Sequence, residues 1–168
     1  MMKRYLFILG TLISLGCFGQ IKIDEDIVDE FTGNRQITTE VFNVAKGGML
    51  KGIVGNFDGT YVFYLIPMSD LGCSGVKGNY IIFLFEDGST LEIEDNGKVD
   101  CGSISTGLFL VDYEDFIDKK IKKLRVSRTE RTVDYEWNPN TPNLIEILNL
   151  VTPNKEVIGT DVELVEVG

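Results

Sequence analysis

The chain has 168 residues, with 26 Asp and Glu against 16 Lys and Arg, no histidine and three cysteines. That length suits one domain, and 43% hydrophobic with 25% charged residues is the composition of a folded globular chain. Without histidine there is no Ser-His-Asp or Cys-His relay and no HExxH zinc site, and a net charge of −10 opposes broad contact with a nucleic-acid backbone.

The first nineteen residues read as an export signal. Lys3 and Arg4 precede an apolar run from Tyr5 to Gly16, and small residues at Cys17 and Gly19 stand three and one positions before a cut at Gln20. The run is too short to span a hydrocarbon core of about 30 Å, so no transmembrane span is expected. Ser14-Leu15-Gly16-Cys17 is a loose lipobox, which leaves lipid attachment through Cys17 as an alternative to a periplasmic or secreted location. Cleavage before Gln20 leaves 149 residues and moves the net charge from −10 to −12.

Residues 20–153 are expected to form a single α+β domain, mainly an antiparallel sheet of about eight strands with two helices. Ile23 to Glu30 and Gln36 to Val44 are β-rich runs on either side of Phe31-Thr32-Gly33-Asn34. Met49 to Asn56 and Thr60 to Met68 flank an Asp58-Gly59 turn, which pairs Val54 with Phe63 and Ile53 with Tyr64. Tyr80 to Phe85 and Leu91 to Glu94 form a second hairpin about Asp87-Gly88. A two-residue turn there sets Leu84 opposite Leu91 and Ile82 opposite Ile93 on one apolar face.

Cys73 and Cys101 flank this hairpin and, as an even pair in an exported chain, are expected to form a disulfide. In the register above they fall one residue out of step, so a bulge at Gly75, Gly78 or Gly97 would be needed. A redox-active pair would want CxxC spacing, which is absent.

Further on, Gly107 to Val111 is a short strand. Asp112 then caps an expected helix carrying Tyr113, Ile117, Ile121 and Leu124 at helical spacing, giving way near Ile121 to a strand. Arg131 to Trp137 is a strand with Val133, Tyr135 and Trp137 on one face. Thr141 as N-cap and Pro142 at the first helical position open a second helix that Pro153 stops. Leu144, Ile145, Leu148 and Val151 form its apolar stripe. Residues 154–168, acidic and Val-rich, are a late strand or a loose tail.

With these residues in view, the chain resembles a group of small exported proteins of Bacteroidota without known activity. The matching features are Gly19-Gln20, Asp29-Glu30-Phe31-Thr32-Gly33, Cys73, Phe85-Glu86-Asp87-Gly88, Cys101 and Leu124-Arg125-Val126. The resemblance covers roughly residues 20–151 and implies an exported location and the fold, but no catalytic residue.

The densest chemical feature is a basic segment: Lys119, Lys120, Lys122, Lys123, Arg125, Arg128 and Arg131. It is a candidate anion patch for an acidic polysaccharide, a lipid headgroup or an acidic partner. The plainer reading is a helix C-terminus and a solvated strand face. Acid pairs such as Asp24-Glu25-Asp26, Asp29-Glu30, Glu92 with Glu94-Asp95, and Glu114-Asp115 alternate with apolar residues as a solvent face does. A hydrolase would need two of them held across a cleft. A calcium loop at Glu92, Glu94 and Asn96 fails at Ser103, where the bidentate acid belongs, so no metal or cofactor is assigned. Tyr61, Phe63, Tyr64 and Trp137 either stack as a sugar platform or belong to the core. The sequence therefore points to a non-catalytic exported module of the bacterial envelope that binds an unidentified macromolecule or serves a structural role. Two alternatives remain: an acidic periplasmic inhibitor of a basic, lysozyme-like enzyme, and a carboxylate-based hydrolase. A binding module should expose an apolar patch, an inhibitor a protruding acidic loop, and a hydrolase a cleft with converging acids.

Overall fold

The structure is a computed structural model that describes residues 20–153; the expected signal segment and the stretch 154–168 lie outside the described residues. Period-two alternation dominates this span, and the described residues form ten strands and one α-helix. The strands are β1 (Ile23–Val28), β2 (Arg35–Thr39), β3 (Phe42–Asn43), β4 (Leu50–Phe57), β5 (Thr60–Pro67), β6 (Tyr80–Phe85), β7 (Thr90–Glu94), β8 (Gly107–Leu110), β9 (Ile121–Ser127) and β10 (Thr132–Glu136). The helix α1 spans Leu144–Val151.

The expected antiparallel architecture is present, but as two sheets rather than one. A six-stranded sheet runs β1-β2-β4-β5-β8, with β3 also on β4, and a four-stranded sheet runs β10-β9-β6-β7. The sheets are stitched on both sides. On one, Asn96 N–H donates to Leu108 O at 2.8 Å; on the other, Ala45 bridges Trp137 and Asn138 N–H donates to Val44 O at 2.9 Å.

One apolar core fills the space between them. Phe63 of β5 stacks on Phe83 of β6 with ring centroids 6.4 Å apart, and Phe116 meets Phe83 edge-on at 5.1 Å. Burying a side chain of this size stabilises the fold by about 1.5–3 kcal/mol. Gly52 in β4 is what lets the rings close in, because a Cβ there would lie 2.6 Å from Val44 and 2.8 Å from Phe63. The helix adds Leu144, Ile147, Leu148 and Val151, all fully buried.

The Asp58-Gly59 hairpin has the expected register, Val54 opposite Phe63 and Ile53 opposite Tyr64. Both turn residues adopt positive φ, 52° and 88°, as a two-residue turn matched to strand twist requires. The second hairpin departs from expectation. Phe85 N–H donates to Ser89 O and Gly88 N–H to Phe85 O, so Glu86, Asp87 and Gly88 form a three-residue loop with Gly88 at φ 84°. The extra residue shifts pairing by one, setting Phe83 opposite Leu91 and Ile81 opposite Ile93. The buried face is therefore Ile81, Phe83 and Phe85, and Ile82 and Leu84 face outward. The same shift removes the need for a bulge at the cysteines. Asp95 N–H still donates to Asn79 O and Ser74 bridges Asp100, so Cys73 and Cys101 meet in register as a disulfide.

The expected helix after Asp112 is also corrected. Tyr113–Phe116 is a single 3-10 turn, Ile117 is already extended, and Asp118 is left-handed at φ 57°. The turn's buried anchor is Phe116, and Ile121 begins β9, which is paired on both sides by β6 and β10. Those two ladders outweigh a helical spacing that had no partner of its own. The second expected helix exists, but starts two residues later. Its N-cap is Asn143, whose N–H donates to Glu146 Oε2 at 3.2 Å, whereas Thr141 Oγ1 donates to Asn43 O at 2.6 Å and ties the loop to β3.

Candidate functional site

The seven cations of the basic segment lie in several environments. Lys119 pairs with Asp87, donates to Ser89 Oγ at 3.0 Å and stands 5.5 Å above the Phe85 ring. Arg125 forms a two-pronged bond to Asp134 at 2.6 and 2.8 Å. Arg128 is buried, 5% exposed, and its Nη1 donates to Ser105 Oγ at 2.7 Å. Lys123 is half-buried on the outer face of β9, across from Leu84 and Glu136, and Arg131 is exposed beyond the strand end.

Lys123 and Arg125 border a small pocket of about 240 Å³ with Ile82, Leu84 and Asp134, and Lys120 and Lys122 converge on a larger groove. A bulge between β6 and β9 makes Leu84–Phe85 span Lys123–Ile121 and re-aims Lys122. Asn143 fixes the segment, its side chain donating to Lys119 O and accepting from Ile121 N–H at 3.4 Å. The two lysines then border a groove of about 730 Å³ lined also by Trp137, Pro139, Pro142, Glu86 and Glu146. Two cations and two carboxylates line it, so no single sign dominates its field. Glu146 is moreover engaged in capping its own helix.

Trp137 is the one aromatic of the expected sugar platform that lines this groove. Phe63 is in the core, Tyr61 lies against Tyr113 at 5.9 Å, and Tyr64 packs edge-on with Phe57 at 6.5 Å. Acids expected as a solvent face sit on strands or turns: Glu92 and Glu94 are exposed on β7, and Glu114 and Asp115 lie in the 3-10 turn.

The most exposed apolar element is elsewhere. β1 is the edge strand of the six-stranded sheet, paired to β2, which is itself paired to β4 through Gln36, Ile37 and Thr38; all six residues of β1 are exposed. Ile27 and Val28 are each 54% exposed, and Phe31 at the tip is 99% exposed. Around them stand Asp24, Glu25, Asp26, Asp29 and Glu30 against Lys22 and Arg35. By sequence alone these acids belong to a solvent face and Phe31 to a turn. An aromatic is assigned to the core by default, and only coordinates reveal one left outside.

The tip is closed by hydrogen bonds to Asp29. Asp29 Oδ1 accepts the N–H groups of Phe31 and Thr32, both at 2.8 Å, and Gly33 N–H closes the loop onto Asp29 O at 2.8 Å. These amides keep the Asp29 carboxyl below its ordinary range, the Thr32 N–H contributing most and Phe31 next. Arg35 clamps Asp26 through two bonds of 2.8 and 2.7 Å and lowers its pKa likewise. Phe31 thus projects from a preorganised, acidic hairpin.

Among the described residues no helix is long and apolar enough to cross a membrane, and no group of three or more Cys, Asp or Glu side chains is arranged to hold a metal ion. Comparison with protein families, curated proteins and solved structures yields no match.

Proposed function

We propose that the protein is a non-catalytic, exported binding module of the bacterial cell envelope that engages a macromolecular partner through the β1–β2 hairpin. The observation that carries this reading is Phe31, 99% exposed on a tip whose backbone is fixed by Asp29. An exposed aromatic ring contributes nothing to folding, and aromatic anchors of this kind dominate interface energetics when a partner buries them. The Cys73–Cys101 disulfide suits an oxidising compartment, periplasmic or extracellular, and is equally compatible with lipid attachment through Cys17.

Retention of the mature protein on native envelope fractions tests the reading. Phe31→Ser should reduce retention by about tenfold, which corresponds to about 1.4 kcal/mol, while leaving the melting temperature in place. Equal retention of both proteins would contradict it.

A second reading is favoured by the acids that flank Phe31: the hairpin is suited to a basic enzyme such as a lysozyme, steered by opposite charge. A stoichiometric excess of the protein should then inhibit lysozyme, and Phe31→Ser should relieve the inhibition. Unchanged lysozyme activity rejects that target.

A further inference from the structure

We infer that the outer edge of β1 takes up an extended cationic segment of the partner as an added strand; this rests on the hairpin being the contact element. β1 ends the six-stranded sheet and, among the described residues, pairs only with β2. Asp29 N–H donates to Asn34 O at 2.9 Å, so Asp29 and Asn34 are a hydrogen-bonded pair. The alternation of an antiparallel ladder gives Ile27 and Glu25 the same role and turns the N–H and C=O groups of Asp26 and Val28 away from β2. That leaves an open row of donors and acceptors, the template for strand addition.

Charge decides the occupant. A second copy of β1 laid against the first would bring Asp24, Glu25 and Asp26 against their own kind, which is destabilising for directly opposed strands. The chain's own stretch 154–168 carries Glu156, Asp161, Glu163 and Glu166 against Lys155, and is repelled in the same way. A strand in which Lys or Arg alternates with apolar residues meets the acids with opposite charge. Its apolar side chains, all on one face of the added strand, can cover either Ile27 or Val28, which point to opposite faces of β1 and are each 54% exposed. Phe31 lies just beyond the end of this edge and would anchor the same partner.

The test uses the mature protein and a short synthetic peptide in which lysine alternates with valine, with a glutamate–valine peptide as control. The lysine peptide should bind, weaken as salt rises, and slow hydrogen exchange of the Asp26 and Val28 amides. Val28→Pro removes an outward N–H that no described strand uses, so it should fold and bind about tenfold more weakly. Asp24→Asn with Glu25→Gln leaves the backbone intact and should also weaken binding. The inference is overturned if the lysine peptide does not bind, if it binds without slowing those two amides, if the glutamate peptide binds equally, or if the protein self-associates through β1. Should any of these occur while envelope retention still depends on Phe31, only the edge inference falls. Loss of the Phe31 dependence removes the reading beneath it.

Discussion

Single residues set both the packing and the charge of this protein. Gly52→Ala forces a methyl group against Val44 and Phe63, and should cost about 1–3 kcal/mol by urea unfolding. Phe31→Ser should change stability by no more than about 0.5 kcal/mol, since its ring buries nothing in the described fold. If Phe31→Ser unfolded the protein, its ring would have a structural role that the exposed tip does not allow. The hairpin acids carry a pH signature. Hydrogen bonds from Arg35 to Asp26, and from the Thr32 and Phe31 amides to Asp29, hold both carboxyls below 3.8. The unfolded chain therefore binds more protons in that window, so this stabilisation is complete above about pH 3.8 and is lost as pH falls through the folded-state values. NMR titration should place both midpoints below 3.8, with Asp87, bonded to Lys119 and Ser89, lower still; midpoints at or above 3.8 would contradict the geometry. Little of this was legible beforehand, because neither the space around Gly52 nor the partners of Asp29 follow from neighbouring letters.

At the scale of elements, the two Asp-Gly hairpins show what a local signal can and cannot fix. Asp58-Gly59 spans two residues, and its register follows from the sequence directly. Asp87-Gly88 takes Glu86 into the loop, and one residue more exchanges the two faces of the hairpin. Substitution reads the register. Phe83→Ala should cost about 3–5 kcal/mol, and Leu84→Ala distinctly less, the reverse of what a two-residue turn implies. The disulfide belongs to this element. Its 28-residue separation implies a loss of about 3.5 kcal/mol when both cysteines are replaced by serine. Alkylation of the unreduced protein should leave Cys73 and Cys101 unlabelled, and labelling of both would contradict the bond. The helix expected after Asp112 failed for a related reason. Tyr113, Ile117, Ile121 and Leu124 have helical spacing, but Asp118 is left-handed and β9 is claimed by β6, far upstream, and by β10, just downstream, contacts that spacing within one segment does not contain.

For the whole molecule, strand content and the antiparallel character were legible from alternation and turns, while the division into two stitched sheets was not, since it depends on contacts such as Ala45 with Trp137. The basic segment was the most conspicuous feature of the sequence. Folding distributes it: Arg128 goes into the interior, Lys119 and Arg125 into ion pairs, and Lys120 and Lys122 to a groove that also bears Glu86 and Glu146. The acidic β1–β2 hairpin, unremarkable by composition, is where the fold sets the exposed Ile27, Val28 and Phe31 beside five acids and two cations. The central claim is that this hairpin meets the partner. It is tested most directly by placing a photo-crosslinking side chain at Phe31 and, as a control, at the exposed Val99 beyond β7. Illumination of intact envelopes should give a discrete adduct from position 31 and none from position 99; no adduct at 31, or the same adducts from both, would contradict it.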